Sequence, residues 1–155
     1  MSAMTRSNAR ELALHLVYAM DCSGTPVDEL LEERLDEEYF SLLAGEDELY
    51  AERPKGKLRA YVVSVVRGVA EKKAELDAEI SALSQNWSIA RISDLARAIL
   101  ELAMYEALYL EDVPMNVAIH EAVLLAKKYE EPETVKYVNG VLGAFSRSRS
   151  EATEC

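Results

Sequence analysis

The sequence predicts an all-α protein, a single compact bundle of about six to seven helices, and three features carry that expectation. Apolar residues recur at helical spacing in the first segment, where Ala9, Leu12, Ala13, Leu16, Val17 and Met20 line one helix face. They recur again from about Lys57 to Ser84, where a valine cluster has the composition of a strand but not its period-2 alternation. Gly45, Pro114 and Pro132 punctuate the chain between further helical pieces.

Taken in order, the first helix ends near Cys22, where Ser23, Gly24, Thr25 and Pro26 supply a glycine for the turn and a proline to open the next element. Leu30, Leu31, Leu35, Leu42 and Leu43 suggest one second helix within an acidic segment, terminated by Gly45. From Glu46 to Gly56 the charged sequence, with Pro54 and Gly56, reads as a mobile loop. The long helix that follows carries Leu58, Tyr61, Val62, Val65, Val66, Val69, Leu76, Ile80 and Leu83. After Trp87, Ser93 suits an N-cap and Asp94 the first turn of a helix running to about Glu111, with Leu95, Ile99, Leu102, Ala103 and Tyr105 on its apolar face. Beyond Pro114, Asn116 is the expected cap of a helix bearing Val117, Ile119, Ala122, Val123 and Ala126. The last helix, from about Glu133, turns Val135, Val138, Leu142 and Phe145 inward, and the polar tail from Ser146 is expected to fray. No internal repeat and no linker of domain-joining length occurs, so one domain over residues 1–155 is expected.

A chain of 155 residues buries roughly 70% of the surface it exposes when unfolded, so it needs no disulfide or metal to hold a core. Cys22 and Cys155 stand in no C-x-x-C pair, which suits thiols in a reducing compartment. No stretch approaches the ~18 apolar residues of a membrane helix. The opening residues imitate a secretory signal, but Glu11 and His15 interrupt the apolar run, and a cytoplasmic protein with no membrane association is expected. The net charge of −11 argues against a nucleic-acid partner, because binding phosphates takes lysines and arginines. Its distribution weakens that objection. Between Asp28 and Arg53 eleven acidic residues face two arginines, a net −9, which leaves only −2 for the rest of the chain. The acidic run reads as a solvated face, and basic residues elsewhere remain available.

Reactive groups that could converge on a substrate are scarce. His15 is expected on the outer side of the first helix, and His120 and Glu121 are adjacent, so they do not face each other on a helix. Gly140 and Gly143 lie in a helical pattern without the lysine and hydroxyl partners of a phosphate cradle. The expectation is a protein that is not an enzyme and uses no cofactor or metal. Interaction features are richer. Arg6 and Arg10, four apart, stack on one face of the first helix, where two guanidinium groups could hold adjacent phosphates, although ordinary solvated charge also accounts for two arginines. The same row continues through Leu14 to Tyr18, a ring that could stack on an unpaired base or sit partly in the core. Around Pro132, Lys127, Lys128, Tyr129, Lys136, Tyr137 and Asn139 interleave cations, rings and an amide. That mixture suits single-stranded RNA and equally a solvated helix end with half-buried tyrosines.

Two stretches carry a family resemblance. "TRSNARELALHLVYAMD" resembles the opening helix of NusB proteins, with an Ala-Arg-Glu core followed by small and apolar residues and then Val-Tyr. The stretch from "ISDLARAILELAMYEALYLEDVP" through "MNVAIHEAVLLAKKYEEPETVKYVNGVLGAF" resembles the family's Arg-x-Ile-Leu-x-Leu-Ala-x-Tyr-Glu, Asp-x-Pro, Val-Ala-Ile-x-Glu-Ala-Val-x-Leu-Ala-Lys and Lys-Tyr-Val-Asn-Gly-Val-Leu runs. Together they cover nearly half of the chain. The resemblance implies a NusB-like bundle that pairs with the ribosomal protein NusE and binds boxA RNA in antitermination of ribosomal RNA transcription, within the RNA polymerase antitermination complex. It implies RNA contacts by Arg6, Arg10 and Tyr18, by Lys136 and Tyr137, and by Glu133 on the same rim, and it offers Glu106 as a partner-facing residue. The family's N-terminus can hold several consecutive arginines, whereas Ser7 and Asn8 stand here, so the ribosomal partner is expected to supply much of the positive charge.

Two other readings accompany this one. NusB-like helical domains also precede the methyltransferase domain of certain rRNA cytosine methyltransferases, but no cofactor-binding sheet follows the helices within these 155 residues. A helical interaction module that self-associates as a homodimer, with little RNA affinity of its own, is the alternative function.

Overall fold

A computed structural model describes residues 4–85 and 92–154. Trp87 and Cys155 lie outside the described residues. The chain is all-α: among the described residues are seven α-helices, α1 (Arg6–Ser23), α2 (Val27–Arg34), α3 (Glu37–Leu43), α4 (Gly56–Leu83), α5 (Asp94–Tyr109), α6 (Met115–Tyr129) and α7 (Pro132–Glu154), with a short 3₁₀ turn at Glu48–Tyr50. Contacts divide it into two compact units, Met1–Glu71 and Lys72–Cys155, and the boundary falls inside α4.

In the first unit, α1 starts where Thr5 supplies a capping box. The Thr5 hydroxyl accepts from the Asn8 backbone N–H at 3.1 Å, and the Asn8 side chain accepts from the Thr5 N–H at 3.1 Å. It stops at Gly24, whose φ of 71° is left-handed and suits a residue without Cβ. The expected stripe is buried, from Ala9 through Val17.

The single helix expected over the acidic segment is two. Leu35 ends α2, and the Asp36 carboxylate accepts from Glu38 N–H at 3.1 Å, which caps a new helix. The expected mobile loop is pinned. Asp47 caps the 3₁₀ turn, accepting from Leu49 N–H at 3.0 Å, and the turn buries Leu49 and Tyr50. His15 is also not simply outward: its Nδ1 lies 2.9 Å from the Tyr50 hydroxyl in a half-buried contact, with Phe40 against the other ring. Burial, followed by the charges of Tyr39 and Asp47, pushes the Tyr50 hydroxyl up to about 12.

In the second unit, α5, α6 and α7 pack pairwise. Ser93 caps α5 as its sequence suggests, accepting from Ala96 N–H at 3.0 Å, and its hydroxyl also donates to Glu130 at 2.8 Å. α5 ends at Tyr109, two residues short of Glu111, and is buried on nearly every side, with Ala96, Ile99, Leu100, Leu102 and Met104 inside. Asn116 does not cap α6. The Pro114 carbonyl accepts from both Val117 and Ala118 N–H at 3.1 Å, so proline's fixed φ starts the helix earlier.

The tail expected to fray continues as helix to Glu154. Ser148 bonds back to the Phe145 carbonyl at 2.9 Å, and Arg149 reaches Glu79 at 3.3 Å while its guanidinium lies over the Phe145 ring.

A charge network ties the end of α4 to α5. Glu101 is fully buried and receives the Lys73 ammonium at 2.6 Å, Lys73 also meets Asp77 at 3.2 Å, and Arg97 lies 3.7 Å from Asp77. Burial would push the Asp77 carboxyl up, but Glu101, Lys73 and Arg97 together hold it below its usual value. Among the described residues no helix is long and apolar enough to cross a membrane, and no group of three His, Cys, Asp or Glu could hold a metal ion.

Candidate nucleic-acid interface

The Thr5 cap fixes where α1 begins and therefore where its arginines point. Arg6 falls in the first turn and Arg10 one turn later, on the same row. Both converge on one ring. The Arg6 guanidinium carbon lies 4.1 Å from the centroid of Tyr61, and that of Arg10 lies 5.9 Å from it. Tyr61 belongs to the second turn of α4 and is itself buried.

A cation over a ring face is held by the ring quadrupole, worth about 0.5–1 kcal/mol when exposed and about 2 kcal/mol or more when desolvated. The two arginines are not alike in this respect. Arg6 is half-buried, whereas Arg10 is only 4% exposed. Arg6 thus keeps part of its charge at the surface, whereas Arg10 is enclosed beside the same ring. Tyr18, two turns beyond Arg10, is 40% exposed and offers part of its ring to solvent.

Tyr61 is the member of this cluster that sequence reasoning did not single out. Helical spacing marks it as core, and nothing in the sequence pairs a position on the fourth helix with two on the first.

In the second unit, Glu133 and Lys136 sit three apart in the first turns of α7, both exposed and on one face. Tyr137, expected to offer its ring, is instead 3% exposed, and its hydroxyl lies 2.6 Å from Ser84 Oγ just past the end of α4. It anchors the helix that carries Lys136. Glu106, expected to face a partner, is 1% exposed within α5. Its carboxylate lies inside the unit because α5 is covered on nearly every side. At the end of α6, Tyr129 is partly exposed and Lys128 places its ammonium 5.4 Å from that ring. The structure therefore brings Arg6 and Arg10 together on Tyr61 in one unit, and Glu133, Lys136 and Tyr137 together on α7 in the other.

Comparison with known proteins gives the same answer along the chain. The model of the NusB family matches residues 7–147. The chain is 39% identical over 139 residues to the transcription antitermination protein NusB of Bacillus subtilis (strain 168), which covers 90% of this chain and 92% of that protein. Among solved structures, T. maritima NusB is similar with a TM-score of 0.75 and 28% identity, over 94% of this chain and 93% of that one. A chain from the crystal structure of antitermination factors NusB and NusE in complex with dsRNA shares the fold, with a TM-score of 0.71 and 24% identity over 92% and 96% of the two chains. A family match spanning almost all of the sequence, a relative of nearly equal extent and the all-α fold together make this chain a member of the NusB family.

Proposed function

We propose that the chain is a transcription antitermination factor that binds boxA-type single-stranded RNA of ribosomal RNA operons together with the ribosomal protein NusE. The observation that carries this reading is the arginine pair of α1, stacked on Tyr61 in a protein whose relatives along nine-tenths of its length are transcription antitermination proteins. The similar chain from the complex of NusB, NusE and dsRNA shares the fold at 24% identity, and the RNA in that complex is a duplex rather than a single strand.

In this reading Arg6 contacts phosphate and Arg10 holds it in place. Tyr18 stacks on a base, while Glu133 and Lys136 form the other contacts, with Tyr137 positioning them from inside α7. Glu106 shapes the partner face from within α5. The chain works as one NusB-like RNA-binding domain within the RNA polymerase antitermination complex, in the cytoplasm of a bacterium. It supplies binding surfaces rather than a reaction.

The net charge of −11 makes RNA affinity of the chain alone weak and strongly dependent on the partner. The test is binding of a boxA-type RNA, a scrambled RNA and a duplex, with and without NusE, at two salt concentrations. Tighter, salt-sensitive and sequence-selective binding with NusE is expected, weakened by Arg6→Ala and Arg10→Ala. Equal weak binding of all three RNAs in every condition overturns the reading.

Self-association is the second reading, favoured by exposed Leu108, Tyr109, Val117 and Leu124 in the second unit. Sedimentation showing a dimer that binds neither NusE nor RNA would select it.

A further inference from the structure

Between Arg53 and Ala70 the chain has five cations and no acidic residue, in a protein that is otherwise strongly acidic. Two of the five are engaged, since Arg53 donates to the Leu35 carbonyl at 3.2 Å and Arg67 pairs with Asp28 at 2.7 Å, while Lys55 lines a cavity that Glu37 and Glu52 also line. Lys57 and Arg59 lie outside that cavity. Both are exposed, and among the described residues neither has a carboxylate within ion-pair distance.

Their position is fixed by the start of α4. Gly56 takes a φ of 56°, a left-handed turn that a side chain would strain, and the Lys55 carbonyl accepts from Leu58 and Arg59 N–H at 3.2 and 3.4 Å. Lys57 and Arg59 are thereby held on opposite shoulders of the first helical turn, where backbone N–H groups and the helix dipole also favour an anion.

Lys57 precedes Tyr61 by four residues, so it lies on the same face about 6 Å along the helix. Tyr61 carries Arg6 on its ring at 4.1 Å. Lys57 and the solvent-facing cation of α1 therefore share the face of α4 that carries Tyr61, and Arg59 stands on the other side of the same turn.

Resting on the RNA-binding reading above, we infer that the first turn of α4, through Lys57 and Arg59, is an extension of the RNA path that holds phosphates flanking the boxA motif. The contact is to backbone charge and reads no sequence, since neither residue has a partner that would orient it toward a base edge. Charge complementarity selects RNA as the occupant: these two exposed cations lie in a stretch without an acidic residue, and Lys57 is one turn from the ring that carries Arg6.

The test compares two RNAs in the presence of NusE, a minimal boxA-type RNA and the same motif flanked by unpaired nucleotides of unrelated sequence. Wild type binds the flanked RNA more tightly. The double variant Lys57→Gln/Arg59→Gln loses that advantage and leaves minimal-RNA binding unchanged. Its plot of log affinity against log salt for the flanked RNA becomes shallower by about 1.4, from roughly 0.7 per phosphate contact on a single strand. The charge-retaining Lys57→Arg/Arg59→Lys restores both, which separates lost charge from lost folding.

A double variant that keeps the wild-type salt slope on flanked RNA overturns this inference and leaves the boxA reading standing. A double variant that changes only self-association, measured by sedimentation without RNA, overturns it in favour of the acidic flank of a second copy. Failure of wild type to prefer boxA-type over scrambled RNA overturns the underlying reading and this extension with it.

Discussion

Replacing Tyr61 with leucine keeps a buried apolar group but removes the ring face on which both arginines rest. The magnitude follows from their burial. Arg10 is 4% exposed, so its stacking falls at the desolvated end, about 2 kcal/mol, whereas half-buried Arg6 contributes about 0.5–1 kcal/mol. The variant is therefore expected to lose about 2–3 kcal/mol of stability, which for a chain of this size lowers Tm by about 5–10 °C. RNA binding weakens as well, without loss of any group that touches RNA. Two long side chains must be ordered again on binding, at about 1 kcal/mol each. That amounts to about thirtyfold in Kd. Fluorescence anisotropy of a labelled boxA-type RNA with NusE, well below the melting temperature, measures this directly. Tyr61→Phe, which keeps the ring face, should retain wild-type affinity. If Tyr61→Leu is destabilised as expected and yet binds RNA as wild type does, the ring serves folding alone and the argument for a preorganised arginine pair is refuted.

Two further outcomes follow from the buried polar groups. Lys73→Met leaves the fully buried Glu101 carboxylate without its ammonium, a change that costs about 3–5 kcal/mol when both partners are buried. Because Lys73 is 36% exposed, water offsets part of this, and about 2 kcal/mol, or about 4–8 °C in Tm, is expected. Adding Glu101→Leu should recover most of the loss, and a Lys73→Met protein that melts like wild type would show that the pair contributes nothing. The Tyr50 hydroxyl is pushed up from 10.0 to about 12 in the folded protein, so its contribution is complete below pH 10 and disappears as pH rises from there toward 12. Urea denaturation of wild type and Tyr50→Phe across that range should give stability curves that converge as pH rises. Parallel curves would contradict the assignment.

Much of the fold was legible because its signals are local. The stripe of α1, the Ser93 cap and the long apolar row of α4 all depend on spacing within a turn or two, and each appears where the sequence puts it. The departures have equally local causes. Asp36 captures a backbone N–H and splits one expected helix into two, and the Pro114 carbonyl, not Asn116, receives the first donors of α6. The tail after Ser146 looked polar, but its helix is held by Arg149 on Glu79 and on Phe145, contacts that sequence spacing does not reveal.

The candidate site was legible only in its outline. Arg6 and Arg10 fall on one face as expected, but their shared platform comes from a helix some fifty residues away, which periodicity reads as plain core. Tyr18 and Tyr137 show the same limit from the other side. Both are tyrosines on amphipathic helices, yet one is 40% exposed and the other 3%. What separates them is tertiary packing, which encloses the Tyr137 ring and brings its hydroxyl to Ser84.

The central claim is that α1 meets the transcript, and photo-cross-linking reads it without reference to affinity. A boxA-type RNA carrying a photoreactive uridine is irradiated in the presence of this chain and NusE, and the adducts are mapped by peptide mass. Adducts on this chain are expected in peptides holding Arg6 to Tyr18 and in the peptide around Lys136. Adducts confined to the acidic stretch from Asp28 to Glu52, or found on NusE alone, would contradict the account.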